Sequence, residues 1–596
     1  MKKGFTLIEL LAVIVILAII ALITVPTLTK VVENARVNAS VQSANGYIDS
    51  INTQIISSEL NTSSKNINDG TYNISELDVN IKGKKPDNGI VVIEKKNVKE
   101  ARFCIGKYSV DYDGVEAKLS SNNYCGDTSV TILSNGTKIN PTKSGDSYTV
   151  DLTGKTNINC NNGAIPEING NTLTVKNALG NTTCDIGSSL KYTFTHLNDG
   201  DNNIVMVKNE EVTSTILNDK KVSLDLKNYT LTGNGTGYLF ENNDILNITA
   251  NQGKINGTMD SINSKSESQL LIDGGEYNYI KLDNSTADLK NFTGHCTNDE
   301  KNCYPIMAYN NSNAIITNYY SNTSGKSIGA TTNFTGNLVI NNSNLNCLND
   351  NCVWIAGVEG SKVELNNVII NSYGYGIRNE NKTELVVNNS TITSGINNYT
   401  NDESYLNFCV IKNSKDGGKI IINNSTLKSD TGRGVYVQAK TNVEISKTTI
   451  NTKLLSIAIA SLSTGSVVNI KDSIISSADE HPIYLNPSGG ATLNLENNKI
   501  TSTRSGVANA TGATINIVSG EFNVLTPGYE GAISNRANGT INICSANING
   551  LSTLYDLYNT TADGTINYTS NVKLKNNKIY DPNNKVTLNN NLKCNV

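Results

Sequence analysis

The strongest candidates for a chemical role come at the start of this sequence, where one acid lies inside an apolar run. The chain begins Met1-Lys2-Lys3-Gly4-Phe5, and Glu9 follows shortly afterwards. A carboxylate on a lipid-facing helix costs about 2.5–3.5 kcal/mol on insertion scales, so Glu9 is a candidate functional residue. Cleavage after Gly4 would create a free amine on Phe5, a cation able to pair with the Glu9 carboxylate in apolar surroundings.

The element that would position these residues is an almost unbroken apolar segment from Phe5 to about Thr29. About 20 apolar residues are enough to span a bilayer as a helix, so the segment predicts a membrane helix. A secretory signal has a shorter apolar core, with its small-residue cleavage site after the core. Here Gly4 comes before the core, so cleavage there would leave the helix on the mature protein.

The string Gly4-Phe5-Thr6-Leu7-Ile8-Glu9 resembles the processing site of the type IV prepilin family, which includes pilins and the pseudopilins of secretion and DNA-uptake systems. The resemblance implies that a prepilin peptidase cuts after Gly4 and methylates Phe5. It implies that Glu9 then matches register with a neighbouring pilin subunit during pilus assembly. The expected location is the cytoplasmic membrane, with the C-terminal part outside, and later the pilus. A plain membrane anchor with an incidental acid is the alternative.

A single long helix is expected beyond the apolar segment, because apolar residues recur near helical spacing as far as about Ser57. Pro26 lies inside this helix and removes a backbone hydrogen bond, so it should kink or loosen the helix there. The resemblance to pilins implies that this region yields during assembly.

The remaining sequence predicts a multidomain, mainly β protein. After a leader at 1–4 and the helix at 5–59, strand-like runs over 60–126 predict a pilin head packed on the second half of the helix. Alternating runs over 127–190 predict a small all-β spacer that resembles the immunoglobulin-like modules of bacterial surface proteins. Residues 191–596 are assigned to a large repeat.

Eleven cysteines and three histidines are present. Cysteines in sequence-local pairs are typical of disulfides in an exported chain. Cys160 and Cys184 have a separation suited to joining two strands across a sandwich. Cys544 with Cys594 is a further candidate pair, which leaves Cys409 as a candidate buried free thiol. Because the sequence has no Cys-x2-Cys knuckle, neither a metal nor a cofactor is expected. The four expected disulfides are Cys104–Cys125, Cys160–Cys184, Cys296–Cys303 and Cys347–Cys352.

The repeat is marked by an apolar anchor that recurs mostly every 22 to 27 residues. A second apolar position follows most anchors, and a third precedes many of them, as at Ile355, Ile377 and Leu485. Three short strands at fixed phase describe a coil, and coils must stack to bury their apolar faces. We therefore predict a right-handed parallel β-helix, which resembles the pectate-lyase-like superfamily. The anchors are Leu226, Ile248, Ile272, Leu289, Ile316, Ile340, Leu365, Val387, Ile422, Ile445, Ile470, Leu495, Ile517, Ile543 and Tyr568.

Asparagines accompany these anchors in two registers. Asparagine pairs such as Asn341-Asn342 and Asn423-Asn424 follow the anchors, where the coil must turn sharply and Asn tolerates the left-handed conformation. Identical side chains at strand spacing can also hydrogen-bond as a ladder. The second register lies directly before the anchors and is expected to face outward, at Asn469, Asn494, Asn516, Asn542 and Asn567.

Catalysis by the β-helix would need clustered carboxylates, or calcium-binding acids with a basic residue. Such acids should share one phase in adjacent coils, but those before the anchors do not fall in adjacent coils. The triplet Asp479-Glu480-His481 is attributed to a solvated loop. No catalytic residue is assigned. The acids before the anchors are Asp225, Asp288, Glu364 and Glu444.

Binding is better supported than catalysis, because exposed tyrosines on a regular rod suit contact with a glycan or a protein. Tyr319, Tyr320, Tyr373 and Tyr375 are candidates. Tyr399 and Tyr405 stand out, because they lie in an insertion that breaks the repeat length. Scattered surface tyrosines without a ligand are the alternative.

The formal net charge of −4 argues against nucleic acid as the main partner. The leading interpretation is a large type IV pilin-like subunit that displays an adhesive β-helix. Its bulk would crowd a fibre, so a minor or tip-located subunit is expected. A pilus-tethered polysaccharide-active enzyme is the second hypothesis. A pseudopilin of a secretion or DNA-uptake system is the third, and it predicts a short head.

Overall fold

The computed structural model of the chain divides into two compact units, Met1–Val207 and Lys208–Val596. It describes residues 7–596 apart from short segments, and only the backbone of 7–12, 16–29 and 58–60. The segments outside the description are 61–66, 68, 75–76, 78, 80, 82–83, 122–124, 126–128, 177, 179, 297–302, 349–350, 396–407, 416–417, 461–462, 488–489, 527–529, 552–554 and 595–596.

The first unit begins with helix α1, which runs over 54 residues from Leu7 to Leu60. The long helix is thus confirmed, and Pro26 lies inside it. Buried residues recur every three or four positions at Tyr47, Ile51 and Ile55, which defines one apolar face in the second half of the helix.

That apolar face packs against a five-stranded antiparallel sheet. The Tyr47 ring meets the Phe103 ring edge-on at 5.6 Å, and its hydroxyl donates a hydrogen bond to the carbonyl of Ile74. A disulfide joins Cys104 to Cys125 at the edge of this core. The strands are Gly70–Asn73, Asn88–Glu94, Asn97–Ile105, Tyr108–Tyr112 and Ala117–Leu119.

The rest of the first unit is a small β region with its own apolar core. The sequence analysis expected the Cys160–Cys184 disulfide to join two sheets. Instead the two cysteines lie opposite each other on neighbouring antiparallel strands of one sheet. The immunoglobulin-like topology stays a prediction. The elements are strands Val130–Ser134, Thr137–Lys138, Thr142–Ser144, Ser147–Thr149, Asn157–Cys160, Ile165–Asn169, Thr172–Lys176, Thr182–Gly187 and Asn202–Met206, and helix α2 at Leu190–Thr195.

The second unit is a parallel β-solenoid of about fifteen turns. Each turn supplies one strand to each of three parallel sheets, so every strand pairs with its counterpart one turn later. The first sheet contains Val222–Asp225, Ile245–Thr249, Gln269–Asp273, Thr286–Lys290, Asn313–Thr317, Asn337–Asn341, Lys362–Asn366, Glu384–Asn388, Lys419–Asn423, Asn442–Ser446, Val467–Lys471, Thr492–Glu496, Thr514–Ile517, Thr540–Ile543, Thr565–Tyr568 and Val586–Leu588.

The second and third sheets complete each turn. The second contains Glu210–Val212, Thr230–Gly233, Lys254–Gly257, Glu276–Tyr277, Thr293–Gly294, Tyr320–Thr323, Asn344–Cys347, Ile369–Ser372, Thr391–Ser394, Thr426–Ser429, Thr449–Thr452, Ile474–Ser477, Asn498–Ser502, Gly520–Val524, Ala546–Asn549 and Val572–Leu574. The third contains Ile216–Asn218, Tyr238–Asn242, Asp260–Lys265, Ile280–Asp283, Ile306–Tyr309, Ile328–Ala330, Val353–Ile355, Ile377–Asn379, Cys409–Asn413, Arg433–Val437, Ile457–Ile459, Ile483–Leu485, Val507–Asn509, Ile533–Asn535, Leu557–Asn559 and Ile579–Tyr580.

The anchors from Ile248 to Tyr568 stack in register along the first sheet, as predicted. The first anchor was wrong by two residues, because Leu224 and not Leu226 pairs with Ile248. A strand repeats its inward direction every two residues, so a shift of two keeps the side chain in the core but changes its column. Ile355 and Leu485 show the same shift in the third sheet.

Both asparagine registers form ladders. Asn367 donates a hydrogen bond to Asn342 at 2.9 Å, and both have positive φ, which confirms the left-handed turns. The outward register is also continuous from Asn469 to Asn567, with four amide-to-amide bonds of 2.8–3.0 Å. Side chains as well as the backbone therefore connect these successive turns.

Candidate ligand-binding face

The residues predicted for processing and assembly lie at the start of the first unit. Gly4 and Phe5 lie outside the described residues. Glu9 and Pro26 lie on α1, where the backbone alone is described, so the roles of Glu9 in assembly and of Pro26 in bending stay predictions.

The cysteines are paired as expected from the sequence. Disulfides join the four predicted pairs, and a fifth joins Cys544 to Cys594. Cys409 is buried and outside any disulfide, and burial raises the pKa of its thiol to about 12. Over the part of the chain that the structure describes, no three His, Cys, Asp or Glu side chains are grouped to hold a metal ion.

The outward face of the third sheet carries the most distinctive side chains of the solenoid. In its short strands the middle residue points outward while its neighbours are buried, as in Ile377-Arg378-Asn379. Stacking brings the middle residues of four successive turns into one column. The column consists of Trp354, Arg378, Lys412 and Tyr436.

Further aromatic and basic residues flank this column. We call the whole set the aromatic–basic patch. It consists of Tyr304, Lys326, Trp354, Tyr375, Arg378, Glu380, Phe408, Lys412, Arg433 and Tyr436.

Tyr375 lies at the centre of the patch. The Lys412 ammonium lies 4.8 Å from its ring centroid and donates a hydrogen bond to its hydroxyl at 3.1 Å. The Arg378 guanidinium lies 5.9 Å from the same ring, and the Phe408 ring meets it edge-on. Two cations on adjacent turns thus share one tyrosine, which holds their charges side by side.

Trp354 is held by polar and aromatic neighbours. Its indole N–H donates a hydrogen bond to Glu380 at 2.9 Å, and Glu380 forms an ion pair with Arg378. Its ring lies 5.9 Å from Tyr304. Tyr304 reaches across Gly329, where an added Cβ would come within 2.8 Å of the tyrosine ring. A side chain at position 329 would therefore have to displace the Tyr304 ring and the Met307 side chain.

The patch has an excess of positive charge. Arg433 lies over the Tyr436 ring at 5.1 Å, and its buried Nε–H has no acceptor among the residues that the structure describes. Within the described residues, neither Lys412 nor Arg433 has an acid at ion-pair distance. An anionic group of a ligand could therefore approach both cations without displacing an acid of the described residues.

A second polar cluster links three turns near the end of the solenoid. Sequence reasoning placed Asp479, Glu480 and His481 on a solvated loop, but His481 is 5% exposed. Its Nε2 lies 3.1 Å from the Arg536 guanidinium, which also pairs with Glu530. Burial first, and then the Arg536 charge, lower the pKa of His481 to about 4. His481 is buried because residues of the following two turns, Ser505 and Arg536, pack against it, which the local sequence does not indicate.

The acids examined as catalytic candidates are paired with lysines. Asp225, Asp288, Glu364 and Glu444 form ion pairs of 2.7–2.9 Å with Lys227, Lys290, Lys362 and Lys419. The lysine pairing lowers the pKa of Glu364. These acids are engaged one by one along the first sheet instead of facing each other as a catalytic pair would.

The tyrosines selected from sequence have different positions. Tyr319 is buried and stacks on Phe292 at 4.7 Å, so it belongs to the core and cannot contact a ligand. Tyr320 is exposed, and Tyr375 is central to the patch. Tyr399 and Tyr405 lie outside the described residues. Sequence reasoning missed Trp354, Arg378 and Tyr436, although each follows directly after a buried third-strand position.

None of the helices, over the residues that the structure describes, combines the length and apolar character of a membrane span.

Comparison with known proteins identifies only the N-terminal segment. No curated protein and no solved structure matches the chain. Residues 1–25 match the family described as Prokaryotic N-terminal methylation motif, so the chain carries that motif ahead of the β-solenoid.

Proposed function

We propose that this chain is a type IV pilin-like subunit that displays its β-solenoid on a filament at the cell surface. The observation that carries this proposal is the methylation motif at residues 1–25 leading directly into one helix of 54 residues. A prepilin peptidase would cut after Gly4 and methylate Phe5. Pilin subunits and the assembly machinery would then take up the mature helix.

The burial pattern of α1 supports this role. Its second half is covered by the five-stranded sheet, whereas Val13, Ile14 and Val15 are 45–55% exposed. Apolar side chains on a helix face need a covering. In the proposed life cycle the bilayer supplies that covering first, and neighbouring helices in the filament supply it afterwards.

The solenoid supports a display role. Its regular ladders make a rigid carrier. The aromatic–basic patch offers half-buried rings to a ligand, together with Lys412 and Arg433, which have no acid at ion-pair distance among the described residues. A second unit of this size would crowd a fibre if every subunit carried one. We therefore place the chain as a minor or tip-located adhesive subunit.

N-terminal processing tests the proposal most directly. We expect the wild-type chain purified from cells to begin at methylated Phe5, and the Gly4→Ala chain to retain Met1, as measured by intact mass and N-terminal peptide mass. Gly46→Ala is the matched control, because an added Cβ at Gly46 meets nothing within 4 Å. A wild-type chain that keeps Met1, or one cut after the apolar run, would contradict the proposal.

Assembly is tested separately with Glu9→Gln. This variant should be processed normally but be reduced at least about tenfold in sheared filament fractions, because its neutral side chain cannot pair with the Phe5 amine. Antibodies against the solenoid should label filaments sparsely or at their ends. Dense labelling along the fibre would contradict the minor or tip position.

A further inference from the structure

The aromatic–basic patch has the composition of a site for a charged ligand. Four cations, Lys326, Arg378, Lys412 and Arg433, accompany one acid, Glu380, among its described residues. Glu380 is already occupied by Arg378 and by the Trp354 indole. Lys412 lies in the column and Arg433 lies beside it, and neither has an acid at ion-pair distance among the described residues, so these two charges are the ones assigned to a ligand.

We propose that the aromatic–basic patch binds an acidic glycan, whose carboxylate or sulfate groups are received by Lys412 and Arg433 and one of whose sugar rings packs against Trp354. The inference deepens the display function proposed above and rests on it for its biological setting. Its chemistry depends only on the solenoid.

The Arg433 guanidinium is suited to the acidic group. A guanidinium presents its N–H groups in a rigid fork that matches a carboxylate or sulfate with two parallel hydrogen bonds. Its Nε–H is buried and has no hydrogen-bond acceptor among the residues that the structure describes. The Tyr436 ring below it keeps the guanidinium plane in place.

The periodicity of the solenoid suits a polymer. Arg378, Lys412 and Tyr436 lie in one column on successive turns. Adjacent parallel strands are about 4.8 Å apart, which is close to the length of one sugar unit in a linear glycan. A chain lying along the column would place successive sugars over successive turns, with an aromatic ring at each end of the column.

The same residues fit a nucleic acid less well. Strand binding without sequence preference uses successive bases stacked on open aromatic faces. Here the faces of Tyr304, Tyr375 and Tyr436 carry Lys326, Lys412 and Arg433. The cations lie where bases would stack, whereas groups at the edge of a sugar can reach them directly.

The chain contains its own probe for the test. Trp354 is its single tryptophan and lies in the patch, so its fluorescence should change when the patch is occupied. The full-length chain would be titrated with hyaluronan oligosaccharides for carboxylates and with heparin oligosaccharides for sulfates. Carboxyl-reduced hyaluronan is the neutral match, and single-stranded DNA is the non-glycan polyanion.

The variant pair isolates the charges. We expect Lys412→Gln with Arg433→Gln to weaken binding of the acidic glycan at least about tenfold, with less dependence of the affinity on salt. The control double variant, Lys419→Gln with Lys471→Gln, removes the same charge from the first sheet and should bind within about twofold of wild type. Circular dichroism and thermal melting of each variant establish that the solenoid is folded.

Several results would overturn the inference. With wild-type protein, these results are binding of carboxyl-reduced hyaluronan as tight as that of hyaluronan, binding of DNA tighter than that of either glycan, and no binding of either acidic glycan. With the variants, the result is an equal loss of glycan affinity in the two double variants. The neutral-glycan comparison uses wild-type protein and needs no variant to fold. N-terminal mass on the same preparation separates the two proposals. An unprocessed chain that binds acidic glycan overturns the pilin role alone, and a processed chain that binds none overturns the glycan site alone.

Discussion

At the residue scale, His481 shows how the solenoid changes the chemistry of a side chain. Its Nδ1 lies 3.2 Å from the Ser505 carbonyl, and its Nε2 lies 3.1 Å from the Arg536 guanidinium. A guanidinium can only donate, so Nε2 accepts and Nδ1 carries the hydrogen. The folded chain therefore holds one neutral tautomer of His481.

The His481 environment predicts a loss of stability in acid. Burial and Arg536 lower the pKa of His481 from 6.5 to about 4. Between these two pH values His481 is protonated in the unfolded chain but not in the folded chain, so the free energy of unfolding decreases as the pH falls. This histidine should cost the fold up to about 3 kcal/mol as the pH falls from 6.5 to about 4. Urea unfolding at neutral and acidic pH measures the loss. His481→Gln should reduce it, and the exposed His196→Gln should leave it unchanged. A loss as large in His481→Gln as in wild type would refute the assignment.

Asparagine at the turns predicts a second residue-level effect. Asn424 has a φ of 47° and donates a hydrogen bond to Asn389 at 2.7 Å. Asn424→Val should cost about 2–3 kcal/mol, because a branched side chain is strained in this conformation and the ladder bond is lost. Asn424→Gly should cost less, since glycine adopts positive φ freely. Thr426→Val, on an exposed strand position, is the control in urea unfolding. Equal costs for valine and glycine at 424 would contradict the conformational argument.

At the element scale, the disulfides differ in the length of chain that they close. Cys544–Cys594 spans 50 residues and fastens the C-terminal segment to the last turns. Cys347–Cys352 spans 5 residues within one turn. If disulfides act mainly by restricting the unfolded chain, the longer loop should contribute more stability.

The loop lengths predict the size of that difference. Replacing Cys544 and Cys594 by alanine should cost about 4 kcal/mol, against about 2 kcal/mol for Cys347 and Cys352, from the loop-entropy relation. Denaturant midpoints measure both losses, and limited proteolysis should cut the first variant near its C-terminus. A larger loss for the short loop would show that native-state packing, and not loop entropy, dominates.

At the scale of the whole molecule, each of the two compact units buries apolar side chains of its own. Ile51 is fully buried in the core between α1 and its sheet, and Ile422 is fully buried in the solenoid. Removing either side chain should cost about 2–5 kcal/mol in its own unit. Calorimetry should therefore show two transitions, with Ile51→Ala lowering one and Ile422→Ala lowering the other. A single transition lowered equally by both variants would contradict independent cores.

Local sequence patterns predicted much of the fold. Helical spacing located α1, because one apolar face repeats every three or four residues. The recurring anchors and asparagines predicted a stacked coil, because every turn needs an apolar residue in the core and a residue that tolerates the left-handed conformation at the turn. The five disulfides also followed from short spacings and one long one. These features depend on neighbours in the sequence or on strict repetition.

The N-terminal motif, the helix and the repeating turns can thus be recognised in the sequence, whereas the contacts between side chains of different turns depend on the tertiary structure. The register of strand pairing aligns Leu224, and not Leu226, with Ile248. It also places Cys160 beside Cys184 within one sheet. Stacking brought His481 to Arg536, 55 residues away, and assembled Trp354, Arg378, Lys412 and Tyr436 into one column. The physical reason is that turns of unequal length are aligned by strand pairing, so contacts between turns are set by three-dimensional register and not by distance along the chain.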